Sequence, residues 1–244
     1  MSTPPKIDGE TRREITKRKN VIERLTPLVT EHITIPETDA IISVTRPESI
    51  DAVLDYVVDD PEQNLPYWAE IWPSGIALAT TLLHDPDLVR GLPVIELGSG
   101  IGITAAAAMM VGANLTITDY SPQSLLLAEM TCLRAGQKVP ASRQLNWRDP
   151  NAHLLQSSGE TWPVVLAADV LYEQRDIEPV LAVLDRITAP DGLVLLAEPG
   201  RRPASTAITL ARERGWRIEK RQHTGPWPDP KEADVVVSVH SMKR

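Results

Sequence analysis

Phenylalanine is missing from this chain of 244 residues, and cysteine occurs once, at Cys132. Without Phe, the aromatic lining of any binding slot has to come from six Trp and four Tyr. A single thiol forms no intramolecular disulfide and assembles no Cys-based zinc cluster, which suits a reducing compartment and sets the expectation of a cytoplasmic protein. Basic residues are in deficit as well: 25 Lys and Arg stand against 33 Asp and Glu, for a formal charge of −8 and a pI of about 5.2. Nucleic acid and anionic membranes both require clustered Lys and Arg, so neither is expected as a partner, whereas a protein or a small molecule is. No apolar stretch is long enough to cross a bilayer. The N-terminus has no apolar h-region, and Asp8, Glu10 and Glu14 are out of place in an organellar presequence, which is poor in acids.

What remains is enough chain for one large domain, or one domain with a short extension. Residues 1–31 are charge-rich, with Ile15, Ile22, Leu25 and Val29 at roughly helical spacing and Pro27 interrupting the run, which predicts a packed N-terminal helix. The basic cluster Arg12, Arg13, Lys17, Arg18 and Lys19 reads as a solvated face. One or two strands are expected in 33–44, a short helix in 49–58 and a polar linker in 59–66. The expected division is therefore an N-terminal extension, 1–64, and a main domain, 65–244. In the main domain helices (76–83, 101–111, 122–135, 176–187, 204–214) alternate with strands (93–97, 114–118, 142–147, 164–168, 192–197). Two further strands, 216–222 and 233–240, end the chain with no helix between them. Such alternation predicts an α/β fold: a doubly wound, mostly parallel seven-stranded sheet with an antiparallel C-terminal edge.

The strongest local signal is Val94-Ile95-Glu96-Leu97-Gly98-Ser99-Gly100-Ile101-Gly102. A strand that stops in closely spaced glycines and re-enters as a helix brings backbone close to a ligand and aims helix N–H groups at it. The dinucleotide fingerprint G-x-G-x-x-G would need its third glycine where Ile103 stands, and the spacing is G-x-G-x-G instead. Asp119 follows the next strand about 20 residues on, where a carboxylate is suited to accept hydrogen bonds from ribose hydroxyls.

Taken together, these residues resemble motif I of the class I methyltransferases, an acid and one spacer followed by G-x-G-x-G. The resemblance covers residues 92–197 and implies S-adenosylmethionine as cofactor. Gly98 and Gly100 would hold its methionine end, Asp119 its ribose, and Glu96 would lie near its amino-acid end or set the loop. Trp72, Trp147 and Ala168 complete the candidate cofactor-binding residues, while Trp68 is expected in the core.

Asp169 ends the fourth strand of the domain, and ligands of open α/β sheets bind outside the carboxyl ends of strands. One turn of helix would put Tyr172 on the same face; the bland alternative is a helix-capping Asp and a packed Tyr. The stretch Asp169-Val170-Leu171-Tyr172 is similar to the D-x-x-Y signature of the seven-strand lysine methyltransferases, most of whose known members modify proteins. Enzymes acting on planar amides typically carry two prolines after this acid, and none follows Asp169. Leu145-Asn146-Trp147 is similar to the Leu-x-Trp element of the same branch. Tyr67-Trp68-Ala69-Glu70-Ile71-Trp72-Pro73-Ser74-Gly75 and Glu198-Pro199-Gly200-Arg201 resemble its electron-transfer flavoprotein β-subunit subgroup. Residues up to about 64 and 149–160 match no motif. The resemblance implies methyl transfer to a protein lysine, with Asp169 and Tyr172 as catalytic residues and no metal; a small-molecule N- or O-methyltransferase is the rival, and a non-catalytic cofactor-binding protein a third reading. A lysine of pKa near 10.4 is ~3.4 units from neutrality at pH 7, about 4.6 kcal/mol. A carboxylate alone worsens that deficit. Asp169 is therefore expected to bind and orient the ammonium, the sulfonium and desolvation to lower its pKa, and Tyr172 to shape the slot. None of the five histidines is assigned a catalytic role.

Overall fold

The computed structural model describes residues 7–54, 60–136, 138–150 and 159–244. The N-terminal segment forms α1 (Gly9–Ile22), a hairpin of β1 (Leu28–Thr34) and β2 (Ile41–Pro47), and a short α2 (Asp51–Leu54). Asp8 caps α1, its carboxylate accepting the Thr11 N–H at 2.7 Å. The helix stops at Ile22, short of the apolar spacing that runs on to Leu25 and Val29, because Pro27 breaks the run and Val29 is recruited to β1. Of the helix expected at 49–58, residues 55–58 lie outside the described residues, as do 151–158 of the unmatched 149–160 stretch.

Beyond the linker come α3 (Pro73–His84), β3 (Pro93–Leu97), α4 (Ile103–Met110), β4 (Asn114–Asp119), α5 (Pro122–Arg134) and β5 (Ala141–Gln144). They are followed by β6 (Trp162–Ala168), α6 (Ile177–Ile187), β7 (Thr188–Glu198), α7 (Arg202–Glu213), β8 (Arg217–His223) and β9 (Val237–Lys243). The seven strands of the domain form one sheet in the order β5-β4-β3-β6-β7-β9-β8, parallel except for β9, which is antiparallel to both neighbours. The fold expected from the sequence is the one observed. None of the described helices is long and apolar enough to cross a membrane.

Period-two alternation divides the sheet's side chains between two apolar layers. Val94, Ile117, Val164, Leu166 and Leu195 join α3, α4 and α5 on one face, while Ile95, Leu97, Val165, Ala167, Val194 and Leu196 join α6 and α7 on the other. The N-terminal elements share the first layer: Ile15, Ile22, Ile33, Ile42 and Val44 are buried there, and Arg18 Nε donates to Glu129 Oε2 on α5 at 2.6 Å.

Three boundaries differ from expectation. β5 ends at Gln144, so Leu145, Asn146 and Trp147 leave the sheet. β7 begins directly after α6 and is irregular at Gly192, where an added Cβ would lie 2.7 Å from Thr188 Cγ2. Pro226, Pro228 and Pro230 cannot donate to a ladder, and β9 starts only at Val237.

Strand order reverses between β3 and β6: the chain winds outward to β4 and β5 on one side, and to β7 on the other. A crevice opens at such a reversal, outside the strands' carboxyl ends. Leu97 and Ala168 are the last residues of these two strands, so Gly98 and Asp169 meet across the gap.

Candidate active site

The three glycines do different work. Gly98 has φ +64, and a Cβ on it would stand 3.1 Å from Val170 Cγ1 and 3.3 Å from Trp147 Cζ3, so a bare backbone is what lets the loop pass between those side chains. Gly100 donates its N–H to Asp119 Oδ2 at 2.9 Å, and its carbonyl accepts the Ser124 hydroxyl at 2.8 Å. Gly102, at φ +85, lies against α5, where a Cβ would be 2.6 Å from Ala128 Cα.

Asp119 Oδ1 also accepts the Ser121 N–H at 2.9 Å, so the buried carboxylate ties the loop to the end of β4. Burial pushes its pKa up, against the pull of the hydrogen bonds from Ser121, Ser124 and Gly100. Asp119 nevertheless lines the cavity in the crevice.

A cavity of ≈ 250 Å³ occupies the crevice. Trp72, Gly98, Gly100, Asp119, Trp147, Ala168, Asp169 and Tyr172 all line it. Glu96 does not. Alternation along β3 sends Glu96 to the α4 face behind the loop, where it is 1% exposed and Oε2 has no partner. Desolvation and then the nearby Asp119 charge push its carboxyl well above the usual range, with a hydrogen bond from Thr104 opposing them.

Asp169 has φ +55, and residues 169–173 are not helical, so the single helical turn expected to align Asp169 with Tyr172 is absent. A left-handed residue reverses the chain at the strand end, a conformation Asp tolerates. Both side chains nevertheless reach the cavity. The carboxylate of Asp169 caps no helix: Oδ1 accepts Arg201 Nε at 3.2 Å and Oδ2 accepts the Ser74 hydroxyl at 3.4 Å. Burial raises its pKa, while Arg201 and Ser74 pull it down.

Tyr172 stands edge-on to Tyr67, centroids 5.4 Å apart, and Tyr67 edge-on to Trp72 at 6.1 Å, which makes one aromatic wall. Trp68, expected in the core, also lines the cavity. Opposite, Trp147 Nε1 donates to the buried Asp176 at 3.2 Å, and Arg148 Nε donates to the same oxygen at 2.6 Å. Arg148 reaches on to Glu62 and Asn64, and Tyr120 donates to Asp60, so residues 60–64 of the linker are strapped across this end.

Sequence reasoning gave no role to Tyr67, Tyr120, Arg148 or Glu173, all of which line the cavity. Tyr120 was signalled by its place beside Asp119, and Tyr67 by the aromatic segment it opens. Arg148 carried no local signal.

The arrangement fits S-adenosylmethionine. A glycine turn at Gly98 that a Cβ would crowd, the Gly100 N–H, a carboxylate at the end of β4 and flanking aromatic faces are the donors and surfaces such a nucleoside sulfonium requires.

Residues 62–209 match the profile of a family described as lysine methyltransferase. The chain belongs to that family. Among its relatives, the electron transfer flavoprotein beta subunit lysine methyltransferase of Homo sapiens is 38% identical over 45% of this chain and 39% of its own length. Protein N-lysine methyltransferase METTL21A of Danio rerio is 29% identical over 53% and 59%. The chain thus spans about half the length of the curated relatives it matches. Of solved structures, magnesium protoporphyrin IX methyltransferase from Synechocystis PCC 6803 with bound SAM superposes with TM-score 0.55 over 80% of this chain and 96% of that one at 14% identity, a likeness of fold.

Proposed function

We propose that this family member transfers the methyl group of S-adenosylmethionine to a lysine side chain of a protein. The observation that carries the reading is Asp169, a buried carboxylate presented to the cleft at the end of β6, beside the aromatic wall of Tyr172, Tyr67 and Trp72. Such a slot suits a long aliphatic stem with a cationic tip, and the names of the relatives favour a protein lysine over a small-molecule acceptor.

In this reading Gly98 and Gly100 hold the methionine end of the cofactor, Asp119 accepts its ribose hydroxyls, and Trp72, Trp147 and Ala168 pack along it. When bound, the cofactor would supply an electrophilic sulfonium methyl for in-line displacement by the amine, with the demethylated thioether as leaving group. Alignment is then the protein's main task. Asp169 receives the ammonium and directs its nitrogen, the aromatic wall excludes water, and one proton leaves to solvent before transfer. The N-terminal extension, 1–64, buttresses α5 and the main domain, 65–244, carries the chemistry; the family match beginning at residue 62 supports that boundary. A cytoplasmic location rests on the single buried thiol of Cys132, and exclusion of nucleic acid on the acidic balance.

The test is incubation with methyl-labelled cofactor and electron transfer flavoprotein β subunit, with the modified lysine read by mass spectrometry. Asp169→Asn should lose most transfer while cofactor affinity changes little, and Tyr172→Phe should lose less. Full activity in Asp169→Asn, or label found only on small amines, would overturn the reading.

A further inference from the structure

The carboxylate assigned to the acceptor already has a cationic partner. Arg201 Nε lies 3.2 Å from Asp169 Oδ1, its guanidinium sits 5.5 Å above the Trp72 ring, and its side chain is 40% exposed where it lines the cavity. The turn that aims it is held from below: Glu198 Oε2 accepts the Gly200 N–H at 2.6 Å, and Glu198 Oε1 is 3.0 Å from the buried His240 Nε2. Gly200, at φ +85, makes the reversal that a side chain would resist.

We propose that Arg201 sets the protonation state of the acceptor amine, offsetting the charge of Asp169 so that the carboxylate orients the nitrogen without trapping it as ammonium. The inference rests on the lysine methyltransferase reading given above. A lone buried carboxylate would raise the pKa of an amine brought against it, and the neutral amine is the form that attacks. An Asp–Arg pair has no net charge, yet Asp169 keeps lone pairs free to accept an N–H. Stacking on Trp72 holds the guanidinium beside the carboxylate instead of across the slot. Ser74 from α3, Glu198 at the end of β7, Glu70 before α3, and Glu232 with Asp229 from the β8–β9 connection surround the pair, with His240 behind Glu198 and Arg46 of β2 3.8 Å from Glu70. His240 and Arg46 contact Glu198 and Glu70 rather than Asp169, and among the described residues Arg201 is the cation recorded in contact with Asp169. Arg201 is thus a positioning residue that acts through Asp169.

The experiment compares wild type, Arg201→Gln and Arg201→Lys. An Arg charge a few ångströms from the amine, partly screened by solvent, is worth about one pKa unit. In Arg201→Gln the acid limb of the kcat profile on electron transfer flavoprotein β subunit should move up by about one pH unit. That means roughly tenfold lower kcat at pH 7, recovery at alkaline pH, and KM unchanged or lower; Arg201→Lys should stay near wild type. A second arm needs no turnover: n-butylamine, titrated into protein loaded with S-adenosylhomocysteine at pH 7, should bind roughly tenfold tighter to Arg201→Gln. A pH-independent loss of kcat, identical in Arg201→Lys, would show only a structural brace. A rise in kcat/KM at pH 7 would show a plug that substrate displaces. Unchanged butylamine affinity would also overturn the inference, whereas failure of wild type to methylate any protein lysine overturns the functional reading instead.

Discussion

Gly102→Ala tests whether the third glycine of the loop serves the ligand or the fold. Gly102 does not line the cavity, and the position its Cβ would take is 2.6 Å from Ala128 Cα, 2.9 Å from Ala128 Cβ and 3.0 Å from Ala128 O. Its φ of +85 adds a left-handed penalty of about 1–2 kcal/mol for any L side chain. Forcing a methyl into packed backbone costs a further ~1–3 kcal/mol. Together these give a destabilisation of about 2–5 kcal/mol, or roughly 4–20 °C in Tm for a chain of this size. Thermal unfolding followed by circular dichroism reads it directly. Because the nearest atom is backbone, Ala128→Gly should not rescue the variant, and the double mutant should unfold below either single one. A wild-type Tm in Gly102→Ala, or full rescue by Ala128→Gly, would refute the close-approach argument.

Asp119→Ala should strand the Gly100 and Ser121 N–H groups, destabilising the loop by about 1–3 kcal/mol for each, and should weaken S-adenosylhomocysteine binding by roughly ten- to a hundredfold in calorimetry; unchanged affinity counts against the ribose role. Glu96 keeps its proton in the folded state to higher pH than in the unfolded one, so its contribution is fully present below the usual value of 4.5 and is lost as pH rises through the raised folded value. Glu96→Gln should therefore flatten the fall of Tm as pH rises above the usual value of 4.5, with little change in cofactor affinity, and parallel curves would contradict that sign. Arg148→Ala leaves the fully buried Asp176 without its cation, a loss of about 3–5 kcal/mol in denaturant unfolding that Asp176→Asn should partly restore.

The half of the cleft proposed for the cofactor was legible as a binding loop because its signals are local. One strand, three glycines, a small-residue helix and an acid at the next strand end occupy residues 93–119, and each constrains its neighbours. Of the two places expected for Glu96, beside the ligand or behind the loop, the same segment favours the second: Leu97 is the last residue of β3, and counting by twos puts Glu96 with Val94 on the α4 face. The acceptor half was only half readable. Asp169 follows from the rule that ligands gather at strand ends, but its left-handed φ and the loss of the expected helical turn come from how the chain leaves β6. Arg201 reaches it across 32 residues and Ser74 across 95, separations at which composition and periodicity say nothing.

That contrast has a consequence for what can vary independently. The loop, Asp119 and α5 form one hydrogen-bonded unit, in which moving Gly100 disturbs Asp119 and Ser124 together, so the proposed cofactor site would change as a block. The proposed acceptor slot is drawn from separate elements: Tyr67 and Trp72 before α3, Asp169 and Tyr172 after β6, and Arg201 before α7, with Ser74 on α3 behind Asp169. The aromatic wall meets through edge contacts near 5–6 Å rather than a shared backbone segment, so one ring can be exchanged without unfastening the loop. Asp169 and Arg201 are the exception within the slot, since a change in either leaves the other's charge uncompensated. On the proposed reading, acceptor choice would therefore be free to drift along the Tyr67–Trp72–Tyr172 wall, while the Asp169–Arg201 pair and the glycine loop would each be constrained to change as wholes.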